Sequence, residues 1–158
     1  MAIDSLELRN VLGQFSTGVC VVTAIDDAQN AIGMTVNSFA SVSLEPPLVL
    51  WCIQKDSDRF RAYNDASGFG VSILGEQQQE LSNHYAQRLH YQLVPDSYHI
   101  GRSGQAMLNH SIATFGCVVT QRIDGGDHVI MIGEVIEMHR SEDSRPLIFF
   151  GGEYRQLR

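Results

Sequence analysis

The chain has 158 residues, of which 44% are apolar and 18% charged, a composition suited to one domain with a real hydrophobic core and not to a disordered chain. A formal net charge of −7, a pI near 5.2 and a single lysine, Lys55, leave no basic tract of the kind nucleic-acid binding draws on. No apolar run approaches the roughly 20 residues of a membrane helix, and no basic-then-apolar segment opens the chain. The expectation is a single cytoplasmic domain over residues 1–158, without nucleic acid or membrane.

Asp4 followed by Glu7 reads as a capping box, with Leu8, Val11, Leu12 and Phe15 at helical spacing behind it. This predicts a short amphipathic helix laid with one face on a core. Residues 19–25 are a β-branched run closed by the Asp26-Asp27 turn. A second extended segment starts near Ile32, and a third covers residues 48–53 after the Pro46-Pro47 break. Ser57 is placed to cap a helix running through Tyr63. Residues 68–74 read as a strand, and residues 76–86 as a polar helix anchored by Leu81 and Tyr85.

Residues 87–111 form a polar connection with Pro95, Gly101 and Gly104, long enough to be functional or mobile. Two long strands follow, 112–123 and 129–139, flanking the hairpin signal D-G-G-D at 124–127. Residues 146–150 close the set. Many strands, few helices and no βαβ alternation predict a mainly β fold, an antiparallel barrel with peripheral helices. No G-x-G-x-x-G opens a helix after a strand, so a Rossmann nucleotide site is not indicated.

Cys20, Cys52 and Cys117 are widely spaced among apolar neighbours with no C-x-x-C, and the six histidines lack metal spacing. No metal is expected, and the cysteines read as buried free thiols. More unusual is the density of small polar groups at Thr35, Asn37, Ser38, Ser41 and Ser43, between two apolar strands. Such a stretch suits either a polar-edged flat ligand or a plain turn between barrel strands.

The run G-M-T-x-N-S-F-x-S-V-S-L-x-P-P over residues 33–47 resembles the signature of the flavin reductase-like family. F-x-T-G-V at 15–19, F-G-V-S-I-L at 69–74, Q-x-L at 79–81, G-D-H at 126–128 and P-L-I-F-F-G-G-x-Y at 146–154 extend it. The resemblance runs through nearly the whole chain. It implies a split β-barrel of Greek-key type, a homodimer, with FMN or FAD near the subunit interface. Hydride would come from NADH or NADPH.

On this resemblance Thr35, Val36, Asn37 and Ser38 lie along the flavin, and Ser41, Val42 and Ser43 meet the isoalloxazine edge. The segment Gln54-Lys55-Asp56-Ser57 would supply phosphate contacts, with Ser57 at an expected helix start and Lys55 and Arg59 as the nearest cations. Asn83 and Tyr85 would approach from the helix after Gln79. The plainer alternatives are solvated charge for Lys55 and Arg59 and a core anchor for Tyr85. The family usually has Ser or Thr where this chain has Asp58, which removes one phosphate hydroxyl. His128 is either a turn histidine or the residue that approaches the nicotinamide.

The resemblance further implies NAD(P)H:flavin reduction, with reduced flavin passed to a separate oxygenase component. The few cations favour NADH, since a 2′-phosphate normally needs Arg or Lys. The competing expectation is an electron carrier on the same barrel that holds flavin and does not use NAD(P)H.

Overall fold

The computed structural model describes residues 2–142 and 145–158. In chain order these form α1 (Ser5–Leu12), β1 (Thr17–Gly18), β2 (Cys20–Ile25), β3 (Ala31–Val36), β4 (Ala40–Leu44), β5 (Pro47–Gln54), α2 (Phe60–Asp65) and β6 (Gly68–Ile73). A single 3₁₀ turn (Glu76–Gln78) leads into α3 (Gln79–Ala86), followed by β7 (Tyr98–Ile100), β8 (Ala106–Leu108), β9 (Ala113–Gly125), β10 (His128–Arg140), β11 (Ile148–Phe150) and β12 (Glu153–Arg155). No helix among the described residues is long and apolar enough to cross a membrane.

Seven strands make one antiparallel sheet in the order β3-β2-β6-β9-β10-β5-β4. Its two outer strands, β3 and β4, are joined by residues 37–39 alone. Laid flat, seven strands would hold their outer members about 29 Å apart. Four Cα steps reach at most about 15 Å. The sheet therefore curls until its edges nearly meet, giving a barrel split along the β3–β4 seam.

The barrel fills with Trp51, Tyr63 and Phe69, all buried. Trp51 meets the other two edge-on, with ring centroids 5.2 and 5.9 Å apart. β5 alternates as a wall strand should, turning Val49, Trp51 and Ile53 inward. β2 is buried on both faces, which explains its unbroken apolar run. Its outer side packs into a second cluster with Leu74, Tyr85, Leu93 and Leu108. The β9–β10 hairpin closes through Gly126-Asp127, with Gly126 at φ +76°, the left-handed start such a two-residue turn demands.

Several expectations are corrected. α1 begins as predicted, with Asp4 Oδ1 accepting from the Glu7 N–H at 2.8 Å, but none of its residues is buried. Its apolar face lies open instead of resting on the core. α2 starts at Phe60 with Arg59 as its uncapped N-cap, so Ser57 sits three residues ahead of the helix and does not cap it.

Residues 87–111 are no loose connection. They carry the small sheet β7–β8, whose Ala106, Met107 and Leu108 are buried. Thr23 Oγ1 donates to Ala106 O at 2.5 Å, and Ser72 Oγ accepts from the Leu108 N–H at 2.9 Å. β4 and β12 are strands where only a polar segment and a chain end were read.

Tyr63 donates its hydroxyl proton to Val22 O at 2.7 Å inside the core. Tyr63→Phe is expected to cost about 1 kcal/mol and lower Tm by about 2–4 °C. Denaturant unfolding followed through the emission of Trp51, the only tryptophan, measures this directly.

Candidate functional site

One hollow gathers four of the predicted residues, Thr35, Ser57, Arg59 and Tyr85. Of about 300 Å³, it opens where β3, the turn after β5 and the end of α3 converge. β3 supplies Met34 and Thr35. The turn supplies Gln54, Asp56, Ser57, Asp58 and Arg59, and the α3 end supplies Tyr85, Ala86 and, beyond it, Arg88. A larger trough of about 710 Å³ near His99, His110 and His139 and a hollow of about 370 Å³ around Glu76 and Arg145 contain none of the predicted residues. No cluster of three metal-ligating side chains occurs among the described residues.

The small polar residues of the seam divide into two groups. Thr35 Oγ1 donates to Ser82 O at 2.6 Å, tying β3 to α3. Ser38 Oγ accepts from the Cys52 N–H at 3.0 Å, so its side chain continues the β4–β5 ladder where the backbone has left it. These two hydroxyls hold the seam together. Asn37 and Ser41 are exposed, Val36 and Ser43 half-buried, and Val42 is 45% exposed. The register shifts between Ser41 and Ser43, making Val42 the extra residue of a β-bulge. A bulge leaves its residue outside the ladder, bends the strand and increases its local twist.

The cations are placed unequally. Lys55 makes an ion pair with Asp124 of the hairpin. Arg59, expected either at a phosphate or in solvent, is 4% exposed. Its Nη1 donates to Gly33 O at 3.1 Å and Tyr85 O at 2.7 Å, and its Nη2 donates to Gln87 O. Asp58, which also lines the hollow, is engaged on both oxygens: Oδ2 accepts from the Leu89 N–H at 2.7 Å, and Oδ1 lies 3.5 Å from Arg59 Nε. Ser57 Oγ accepts from the Arg59 N–H at 3.2 Å and lies 3.9 Å from Met34 Sδ.

Tyr85 is fully buried, and its hydroxyl accepts from the Val94 N–H at 3.0 Å, the arrangement of a core anchor. Asn83 is exposed on α3 and does not line the hollow. His128 pairs across the sheet with Gln54, which puts it beside the hollow's wall. Its Nδ1 is 2.7 Å from Asp127 Oδ1, so Nε2 is the nitrogen left for a ligand. That hydrogen bond and the histidine's charge hold the Asp127 carboxyl below the usual carboxylate range.

Met34, Ser82 and Arg88 were missed in the sequence, whereas Gln54 and Asp56 belong to the segment 54–57 named there for phosphate contacts. Arg88 had one signal: an arginine just past a helix that ends at the site, in a chain with few cations.

The model of the flavin reductase-like domain matches residues 12–158. The chain belongs to the flavin reductase-like family. It is 42% identical over 153 residues to an NADH-dependent FMN reductase, SmoA, of Agrobacterium fabrum, covering 96% of this chain and 85% of that one. It is 37% identical to HsaB of Rhodococcus jostii, the reductase subunit of a flavin-dependent monooxygenase, covering 97% of this chain and 78% of the other. Against a probable flavin reductase of Rhizobium meliloti, at 40% identity, the chain spans only 44% of the relative's length. The Streptomyces globisporus NADH:FAD oxidoreductase SgcE6, solved with NAD and FAD fragments, superposes with a TM-score of 0.91 at 36% identity, covering 98% of this chain and 93% of that one. The split-barrel architecture of these reductases is thus the architecture of this family member.

The three cysteines make a chemical test of the packing. Burial pushes the Cys20 and Cys117 thiols up to about 12 and raises half-buried Cys52 as well. Little thiolate exists near pH 8, about half a unit below an ordinary free thiol's pKa. A disulfide reagent such as DTNB is expected to find no fast-reacting thiol in the native protein and three after unfolding; a fast native thiol would contradict this packing.

Proposed function

We propose that the chain is an NAD(P)H:flavin oxidoreductase that takes hydride from NADH and passes it to FMN or FAD. The supporting observation is the seam. The barrel wall is open along the β3–β4 seam, which carries the family's signature residues and adjoins the hollow through Thr35. NADH is favoured over NADPH because few cations are uncommitted. NADH is also the donor of SmoA and of the S. globisporus reductase. The working compartment is the cytoplasm, where NADH is kept.

The residues present fit a flavin. Small side chains at Asn37, Ser41 and Ser43 and the bulged backbone at Val42 admit a flat ring and offer it donors. Thr35, Val36 and Ser38 form the floor, two of them through bonds that keep the seam rigid. Ser57 presents a hydroxyl to the phosphate end, with Lys55 and Arg59 close by, while Asn83 and Tyr85 belong to the helix flanking that end. Bound flavin supplies the electron-accepting chemistry, so the protein needs no nucleophile or strong base. What the chain contributes is placement, holding the two rings at the roughly 3–3.5 Å separation of a near-attack geometry. His128, fixed through Nδ1 by Asp127, offers Nε2 to the dinucleotide from the strand beside Gln54.

Two features favour a homodimer. Leu8, Val11, Leu12 and Phe15 are 44–79% exposed on and just after α1. An eight-residue helix is marginal in water without a surface to pack on. Covering by a second copy resolves both. Leu8→Glu combined with Leu12→Glu is expected to convert a dimer to a monomer in sedimentation or light scattering; a wild-type monomer would refute it. The partner that receives reduced flavin is a separate oxygenase component, as for the monooxygenase reductase subunits of the family.

The first test mixes the protein with NADH or NADPH and FMN, FAD or riboflavin in turn, following loss of dihydronicotinamide absorbance. Flavin-dependent oxidation is expected. Tight flavin binding with no oxidation in any mixture would instead favour an electron carrier. His128→Ala is expected to raise KM for NADH about tenfold, the loss of one modest hydrogen bond, with flavin affinity little changed. Loss of flavin binding with normal turnover at saturating flavin would remove His128 from this role.

A further inference from the structure

Resting on the flavin reading of the hollow, we propose that Arg59 is a positioning residue that shapes the cavity from behind, and that Arg88 is the cation that receives the flavin phosphate. Arg59 and Arg88 both line the hollow, and their surroundings are opposite. Arg59 is buried and committed. Its guanidinium joins Gly33 O on β3, Tyr85 O at the end of α3 and Gln87 O beyond it, three backbone points on two walls of the same cavity. The ring of Tyr91 lies 5.8 Å from its Cζ and covers another side.

Asp58 extends this clamp. It accepts from the Leu89 N–H while facing Arg59 Nε. Leu89 has φ +65°, a left-handed conformation that a leucine adopts only when held there. The Asp58–Arg59 pair therefore fixes residues 85–89 against β3. It decides where Ala86 and Arg88 stand relative to Thr35.

A guanidinium spread over three carbonyls has its charge already compensated by buried partners. Turning it to a phosphate would abandon all three. Arg88 is the reverse case: it is exposed, it rims the hollow, and it makes no ion pair or hydrogen bond among the described residues. Lys55 is engaged by Asp124, and Arg61 by Asp65 at 3.5 Å. Of the cations at this opening, Arg88 alone has an uncommitted charge, and a planar fork is the donor best matched to a phosphate.

Equilibrium binding of FMN and riboflavin, read by flavin fluorescence, separates the two roles, because the ligands share a ring and differ by the phosphate. Arg88→Ala is expected to weaken FMN about tenfold, a change of about 1.4 kcal/mol, and riboflavin less than twofold. Arg59→Lys is expected to weaken both by the same factor and to speed tryptic cleavage after Arg88, since the clamped segment is released. Rising salt should weaken FMN and not riboflavin in the wild type. If Arg59→Lys does not fold, judged by Trp51 emission, Asp58→Asn replaces it with the same expectation of equal weakening.

Arg59→Lys weakening FMN alone, or Arg88→Ala weakening both ligands equally or neither, would overturn the assignment. Wild-type protein that binds both flavins but oxidises no dinucleotide would sink the reductase reading and leave this one standing. Protein that binds neither would sink both.

Discussion

Three residues between β3 and β4 impose the geometry on which the rest of the molecule depends. They tie together the outer strands of a seven-stranded sheet, so the sheet curls, and a curled sheet has an interior that Trp51, Tyr63 and Phe69 fill. The two edges stay unpaired, and three residues are too few to let them part. A barrel closed by backbone hydrogen bonds would have no edge to offer. This one keeps a seam, with Ser38 pinning one side to Cys52 and Thr35 pinning the other to Ser82. Stability and access thus come from one connection.

The division of the seam's hydroxyls follows from that constraint. An edge strand presents unpaired backbone groups, a hazard unless they are covered. Two of the seam's hydroxyls tie it to neighbouring elements, Ser38 to the Cys52 N–H of β5 and Thr35 to Ser82 O of α3, and the bulge leaves Val42 outside the ladder. A flat ligand with polar edges then meets a wall whose donors are fixed before it arrives. Preorganisation of this kind lowers the entropy cost of binding. It asks little of charged side chains.

Much of this was legible in the sequence, and the parts that were not share a cause. The β9–β10 hairpin was readable because D-G-G-D and alternating strands are local signals. β2 was readable because burial on both faces leaves an unbroken β-branched run. β4 was not, since A-S-V-S-L has a loop's composition; it is a strand because β5 lies beside it. Residues 87–111 looked like a mobile connection because Ala106, Met107 and Leu108 make only a short apolar stretch, and their burial depends on Thr23 and Ser72 far along the chain. α1 was readable as a helix but not as an open one, because periodicity shows which face is apolar and not what covers it.

The site shows the same limit at the level of single side chains. Thr35, Ser57, Arg59 and Tyr85 line one hollow, yet composition could not say which way each would turn. Arg59 is the sharpest case. Beside two acids, Asp56 and Asp58, in the segment 54–59, an arginine reads as surface charge or as a phosphate ligand, and instead it is sealed against carbonyls of Gly33 and Tyr85. In a chain of net charge −7 the overall field opposes a phosphorylated ligand. In the proposed role, affinity would rest on short-range geometry more than on charge. A protein whose proposed task is to reduce a flavin and release it gains from that balance: tight electrostatic capture would slow the departure of a product that carries more negative charge than the substrate. The sparing use of free cations around the hollow thus suits transfer better than permanent retention.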